Sequence, residues 1–193
     1  NSDSQWLNME KFRSCVSPDI REEDFRGNYC IFGLDLASKL DIAAVVRIFW
    51  RKNAQGIIEY YVFQDFFLPS EAVQSSDNPE YSGWAADGYI TTTDGAVTNL
   101  SEIQERIRET AKNYETLAVA YDPMQATQMS QNLLAEGVEM VELPQTLKNM
   151  SEPMKQLQAL IYEGRIHFDG NPVMHWMFSN VVCHVDAKEN IYP

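Results

Sequence analysis

Two aspartates stand where an extended strand would present them to solvent. The apolar run Tyr29-Cys30-Ile31-Phe32-Gly33-Leu34 ends in Asp35, and far along the chain Leu117-Ala118-Val119-Ala120-Tyr121 ends in Asp122-Pro123. Both runs have the length and the β-branched or aromatic content of buried strands. A carboxylate closing a core strand needs a partner, and two of them on adjacent strands make a site for a hard divalent cation. Mg²⁺ and Mn²⁺ prefer carboxylate oxygens and keep several waters for substrate phosphates. Spacing alone leaves a plainer reading equally open, in which Asp35 caps a hairpin and Asp122 caps the helix that Pro123 opens.

The elements that must position this pair follow from periodicity and turn chemistry. Strands are expected at about 29 to 36, 42 to 50 and 57 to 66, a meander whose second turn is Asn53-Ala54-Gln55-Gly56. A long polar excursion, Ser70 to Asn99, follows Pro69; excursions of that length are usually functional insertions or mobile flaps. A helix capped by Asn99 or Ser101 then runs to about Asn113, and a strand covers 116 to 121. Next come a helix over 124 to 136 stopped by Gly137, a strand from Val138 to Leu143, and a helix from Glu152 to Glu163 ended by Gly164. The order is βββαβαβα, with an edge strand at Val181 to Val185 and apolar core packing from Pro172 to Asn180. Upstream, residues 1–27 read as a short amphipathic helix and an acidic connector entering a domain of residues 28–193.

At 193 residues, 45% hydrophobic and 11% aromatic, the chain can build one sizeable core, and neither disorder nor internal repeats fit it. Cys15, Cys30 and Cys183 are odd in number and widely spaced, as buried thiols in a reducing compartment would be. His167, His175 and His184 match no compact zinc pattern. No apolar stretch reaches the ~20 residues that span a bilayer, and no signal peptide opens the chain, so a cytoplasmic location is the expectation. The net charge of −13 argues against a free-standing nucleic-acid binder. Gly83 and Gly88 have the spacing of a phosphate-binding loop, but Tyr89-Ile90 occupies the place of its Lys and Ser or Thr, so no ATP hydrolysis is expected.

Three antiparallel strands followed by βα units, with acids ending the first and fourth strands, describe an α/β fold of the ribonuclease H-like kind. That fold is a mixed sheet with helices on both faces. More specifically, the chain resembles the nuclease domain of the large terminase subunit of tailed bacteriophages and prophages. The matching segments are Gly33-Leu34-Asp35-Leu36-Ala37-Ser38 with Asp41, then Ala120-Tyr121-Asp122-Pro123, then Leu143-Pro144-Gln145. The last runs from Gly164-Arg165-Ile166-His167-Phe168-Asp169-Gly170-Asn171-Pro172 to Trp176 and Ser179-Asn180.

The resemblance implies a metal-dependent endonuclease that cuts double-stranded DNA with two cations, Mg²⁺ or Mn²⁺. Asp35 would bridge the two ions and Asp122 would bind one of them. A third acid is expected beyond Pro193. Asp41 has a place in the family pattern too, either fixing its turn or touching metal. Lys39, Lys148 and Arg165 are the basic residues expected near a phosphate. Implied partners are duplex DNA, an upstream ATPase domain, a small terminase subunit and a portal protein, all in the bacterial host cytoplasm. Two alternatives stay open: another ribonuclease H-like nuclease such as a resolvase or transposase core, and a non-catalytic docking module of the packaging motor.

Overall fold

The structure, a computed structural model, describes residues 4–37 and 40–193. Along the chain come Ser4–Gln5 (β1), Met9–Ser14 (α1), a 3-10 turn at Glu22–Phe25, Tyr29–Asp35 (β2), Ala43–Lys52 (β3) and Ile58–Pro69 (β4). The excursion then folds into Ser70–Ser75 (α2), Glu80–Ala86 (α3) and Thr91–Thr93 (β5). After it follow Leu100–Ala111 (α4), Glu115–Tyr121 (β6), Thr127–Ala135 (α5), Met140–Glu142 (β7) and Leu147–Glu163 (α6). Ile166–Phe168 (β8), Pro172–Asn180 (α7), Val182–Val185 (β9) and Ile191–Tyr192 (β10) complete the path. Two compact units emerge. One comprises Arg21–Trp50 and Phe63–Leu143, the other Asn1–Ile20, Arg51–Val62 and Pro144–Pro193, so β3 and β4 contribute to both.

The first unit is built on a mixed sheet in the order β5-β4-β3-β2-β6-β7. β2 pairs antiparallel with β3 and parallel with β6, and β6 pairs parallel with β7. Strict alternation explains which side is dry: Cys30, Phe32 and Leu34 are buried, while Tyr29, Ile31 and Asp35 face out. Val45 and Phe49 of β3 and Ile103 and Ile107 of α4 are also fully or nearly fully buried, and Asn99 caps α4 by accepting from Ser101 N at 3.0 Å. The excursion carries regular structure, with β5 pairing parallel to the end of β4 from Phe67↔Thr91 to Pro69↔Thr93.

On the buried face lies a charge that periodicity does not announce. Arg47 is only 2% exposed, opposite Phe32 in register, with its guanidinium 5.8 Å from the Phe32 ring centroid. It donates from Nε to Glu22 Oε1 and from Nη1 to Asp65 Oδ2, both at 2.6 Å, and Arg106 closes the network onto Asp65 at 3.0 Å. Burial works against the guanidinium charge, but Asp65 and Glu22 outweigh it and raise the pKa further. The sequence offers this stretch only as an apolar neighbour of β2, and the flanking apolar residues hide the ion.

In the other unit, β8 pairs parallel with the first half of β4, Tyr60↔Ile166 through Val62↔Phe168. The sequence reading lacks this strand, because three residues between a helix and a loop carry little periodicity. α6 starts five residues before the expected Glu152: Thr146 caps it and Pro153 sits inside, so the proline that reads as a helix start is interior at the loss of one backbone bond. The expected edge strand is β9, which joins β1 and β10 in a separate three-stranded sheet. His167 is half-buried and not a surface residue: Nε2 meets Glu59 Oε1 at 2.9 Å, Nδ1 meets Ser17 Oγ at 3.2 Å, and the ring stacks on Tyr61. Phe12 packs on Phe168 and Phe178 with centroids 4.7 Å apart. No helix among the described residues is long and apolar enough to cross a membrane.

Arg47→Ala removes one side of a buried ion network and should cost about 3–5 kcal/mol in urea unfolding. A cost under about 1 kcal/mol would show that Glu22 and Asp65 are adequately solvated without it. All three thiols are buried and free, and burial pushes Cys30 up to about 12 and raises Cys15 and Cys183 as well. Iodoacetamide at a pH of about 8 should therefore label none of them before the chain unfolds, as read by mass spectrometry.

Candidate active site

Asp35 ends β2 in an exposed position, and Asp122 follows the last residue of β6, half-buried. The pairing of these strands decides their relation. Tyr29↔Glu115 and Cys30↔Thr116 are partners, the register then shifts, and Ile31↔Ala118, Phe32↔Val119 and Gly33↔Ala120 follow. Continued by two residues, the register sets Asp35 opposite Asp122. Directly opposed residues on parallel neighbours point to one face, with strand axes about 4.8 Å apart. On its other side Asp35 is paired with Ala44. Gly33, Ala44 and Ala120 leave a floor of small side chains beneath the two acids.

The turn after each strand is held by a side chain. Asp122 Oδ1 accepts from Met124 N at 2.8 Å, and Gln125 Oε1 accepts from Leu36 N at 3.1 Å, tying the exit of β2 to the exit of β6. Asp122 therefore holds a turn and does not cap a helix: α5 begins only at Thr127, with Ala126 at its N-cap and no side-chain cap bond, so the expectations that the helix starts at 124 and that Asp122 caps it are both corrected. Asp35 and Asp41 line one cleft of about 610 Å³, together with Leu36, Val97, Thr98, Met124 and Gln125. The excursion reaches this cleft through Val97 and Thr98. Its helix α3 lies close enough to Asp41 that the pKa of Tyr81 rises, mainly from burial and then from the Asp41 charge.

Of the expected site residues, the fold brings Asp35, Asp122 and Asp41 into one unit at the exits of β2 and β6. Lys39 lies outside the described residues. Lys148, exposed on α6, and Arg165 belong to the other unit. Arg165 donates from Nε at 3.1 Å and Nη2 at 3.0 Å to the Ile58 carbonyl and pairs with Glu163 at 3.1 Å, a strand-end clamp. Sequence reasoning misses Gln125, Val97, Thr98 and Met124; the only signal for them is proximity to Asp122 and to the end of the excursion.

The candidate donors are the carboxylates of Asp35 and Asp122, hard oxygen ligands opposed when the strand register is continued; Asp41 shares a cleft with Asp35. Among the described residues no group of three or more His, Cys, Asp or Glu side chains is gathered to hold an ion. That arrangement fits Mg²⁺ or Mn²⁺, which take one or two carboxylates and complete their shell with waters and substrate phosphate. Among the described residues lining the cleft there is no His or Cys, the nitrogen and sulfur donors that zinc usually takes.

A family model described as terminase large subunit, endonuclease domain, matches residues 1–193. The chain belongs to that family. It is similar to the protein YmfN of Escherichia coli strain K12, 35% identical over 187 residues, which are 93% of this chain and 41% of that protein. The terminase large subunit of Enterobacteria phage HK97 is 26% identical over 163 residues, 82% of this chain and 32% of that one. The crystal structure of the HK97 large terminase matches with a TM-score of 0.83 at 24% identity, covering 98% of this chain and 39% of that chain. A large terminase nuclease from thermophilic phage G20c, solved with bound magnesium, matches at 0.57 and 14% identity over 99% of this chain and 87% of that one. The same G20c nuclease has been solved with zinc and with cobalt. The chain spans less than half the length of the two curated relatives it matches. The terminase nuclease fold is the ribonuclease H-like mixed sheet described above.

The two roles of Asp122 separate by substitution. Asp122→Asn keeps an acceptor for Met124 N and should leave stability within about 0.5 kcal/mol, whereas Asp122→Ala should cost about 1–2 kcal/mol by thermal or urea unfolding. Equal stability of the two variants would show that the carboxylate does not hold the turn.

Proposed function

We propose that this chain is the nuclease domain of a DNA-packaging terminase from a phage or prophage, cutting both strands of duplex DNA by metal-dependent hydrolysis. The observation that supports the reading is the parallel register of β2 and β6, which, continued by two residues, sets Asp35 opposite Asp122 in a member of this family. Two Mg²⁺ or Mn²⁺ ions would supply water activation and neutralise charge on the scissile phosphate. The residues do the rest. Asp35, paired with Ala44, and Asp122, whose carboxylate is oriented by its bond to Met124 N, would be the residues that hold the cations. Without cations the two carboxylates would repel each other, so the pair would favour binding of a divalent ion. Asp41 is placed on the cleft wall to hold a water or an ion edge. The small residues below the pair admit a sugar-phosphate backbone. Lys39 is the proposed phosphate contact, while Lys148 and Arg165 belong to the other unit and are not assigned to this site.

The proposed setting is the host cytoplasm, with an ATPase domain on the same polypeptide and with the small subunit and portal as partners. The net charge of −13 favours one other reading, a docking module that uses the fold without cutting.

Calorimetric titration of Mn²⁺ into this chain and into Asp35→Asn separates the two. Saturable binding in the wild type, weakened at least tenfold in the variant, is expected for the nuclease; identical weak heats in both would favour docking.

A further inference from the structure

Around the acidic cleft the fold exposes apolar side chains. Met124 is 91% exposed, Val97 53% and Leu100 40%, and all three line the cleft that holds Asp35 and Asp41. Single exposed apolar residues are ordinary, but several around one polar cleft mark a contact surface. The main chain of Met124 is tied to the proposed metal-binding acid: Asp122 Oδ1 accepts its N–H at 2.8 Å. Beside Val97, the Thr98 hydroxyl is buried and finds no hydrogen-bond partner among the described residues.

We propose that Met124, with Val97 and Leu100, forms an apolar lip that grips the sugar and base side of the DNA strand whose phosphate lies at Asp35 and Asp122. The proposal rests on the nuclease reading and deepens it. Apolar side chains at DNA press on deoxyribose or wedge against base steps, and such contacts are indifferent to sequence. A flexible thioether suits a surface that must accept any base. The lip also answers the charge problem: a chain of net charge −13 gains little from phosphate attraction, whereas apolar packing is not screened by salt. A protein partner seated on the lip would cover the acids, which argues for nucleic acid as the occupant.

The test measures binding of a fluorescently labelled duplex to the wild-type chain, Met124→Ala, Met124→Leu, Asp35→Asn and Leu134→Ala. Ca²⁺ is present, and each protein is measured at several salt concentrations. Leu134, 55% exposed on α5, is the control for an exposed apolar residue outside the cleft. Met124→Ala should bind about tenfold more weakly with an unchanged slope against log salt, as expected when one base is left without the side chain it packs on. Met124→Leu should recover most of the affinity, Leu134→Ala should match the wild type, and 2-aminopurine in the duplex should brighten with wild type and less with Met124→Ala. Wild-type binding by Met124→Ala overturns the lip alone, and a fall in its melting temperature or the loss of self-association would assign Met124 to a protein contact. Absence of any Ca²⁺-dependent duplex binding by the wild type, with Asp35→Asn indistinguishable, removes the nuclease reading and the lip together.

Discussion

Parallel pairing of β2 with β6 gains one residue on the β6 side, Leu117, between Cys30↔Thr116 and Ile31↔Ala118, and the site depends on that slip. Had the first register continued, Asp35 would lie opposite Tyr121, which is 7% exposed, and Asp122 opposite Leu36, which is 4% exposed. A one-residue shift sends every side chain to the other face, so one acid of the pair would turn toward the core. The bulge is thus the device that puts two carboxylates on one open face while Phe32, Leu34, Val119 and Tyr121 all stay in the core.

A register must also be guarded from the other side, and Arg47 does this for β3 against β2. An ion pair this dry adds little net stability, because desolvation consumes most of the attraction. As a marker of register it is effective. Only with Arg47 facing the core, opposite Phe32, can the guanidinium reach both Glu22 and Asp65. Slipping β3 by one residue would place the charge on the open face, bury Ile48 or Val46 in its stead, and leave Glu22 and Asp65 without their shared cation. The bulge and the buried arginine fix the two neighbours of β2 independently, and Asp35 inherits its position from both.

Much of this is legible in the residues. β2, β3 and β6 announce themselves as apolar runs, Asn99 and Gly164 mark helix ends, and the two strand-end aspartates stand out because a charge interrupting an apolar run is conspicuous. Other features are hidden for identifiable reasons. Arg47 sits within a strand whose neighbours are all apolar, and a single-residue alternation does not say which face a charge takes when its partners, Glu22 and Asp65, lie 25 and 18 residues away. β8 is too short to show a period. Pro153 looks like a helix start because proline is favoured there. The bulge itself is a property of pairing, not of either strand alone, and no local pattern encodes it.

The distribution of charge bears on how such a domain would work. Several of its arginines are paired with acids of the chain itself, Arg47 in the core and the others at the surface: Arg47 and Arg106 with Asp65, Arg108 with Glu105 and Glu136, Arg165 with Glu163. What the surface shows to a polyanion is therefore dominated by unneutralised acids, and encounter with DNA from solution is slowed, not steered. For a packaging nuclease that weakness has a use. On the proposed reading, DNA held against the domain by the rest of a motor would be present at a high effective concentration, so modest intrinsic affinity would suffice there and free DNA would be passed over. On this reading cutting is governed by delivery of the strand to the Asp35 and Asp122 pair, and the acidic surface is part of the control.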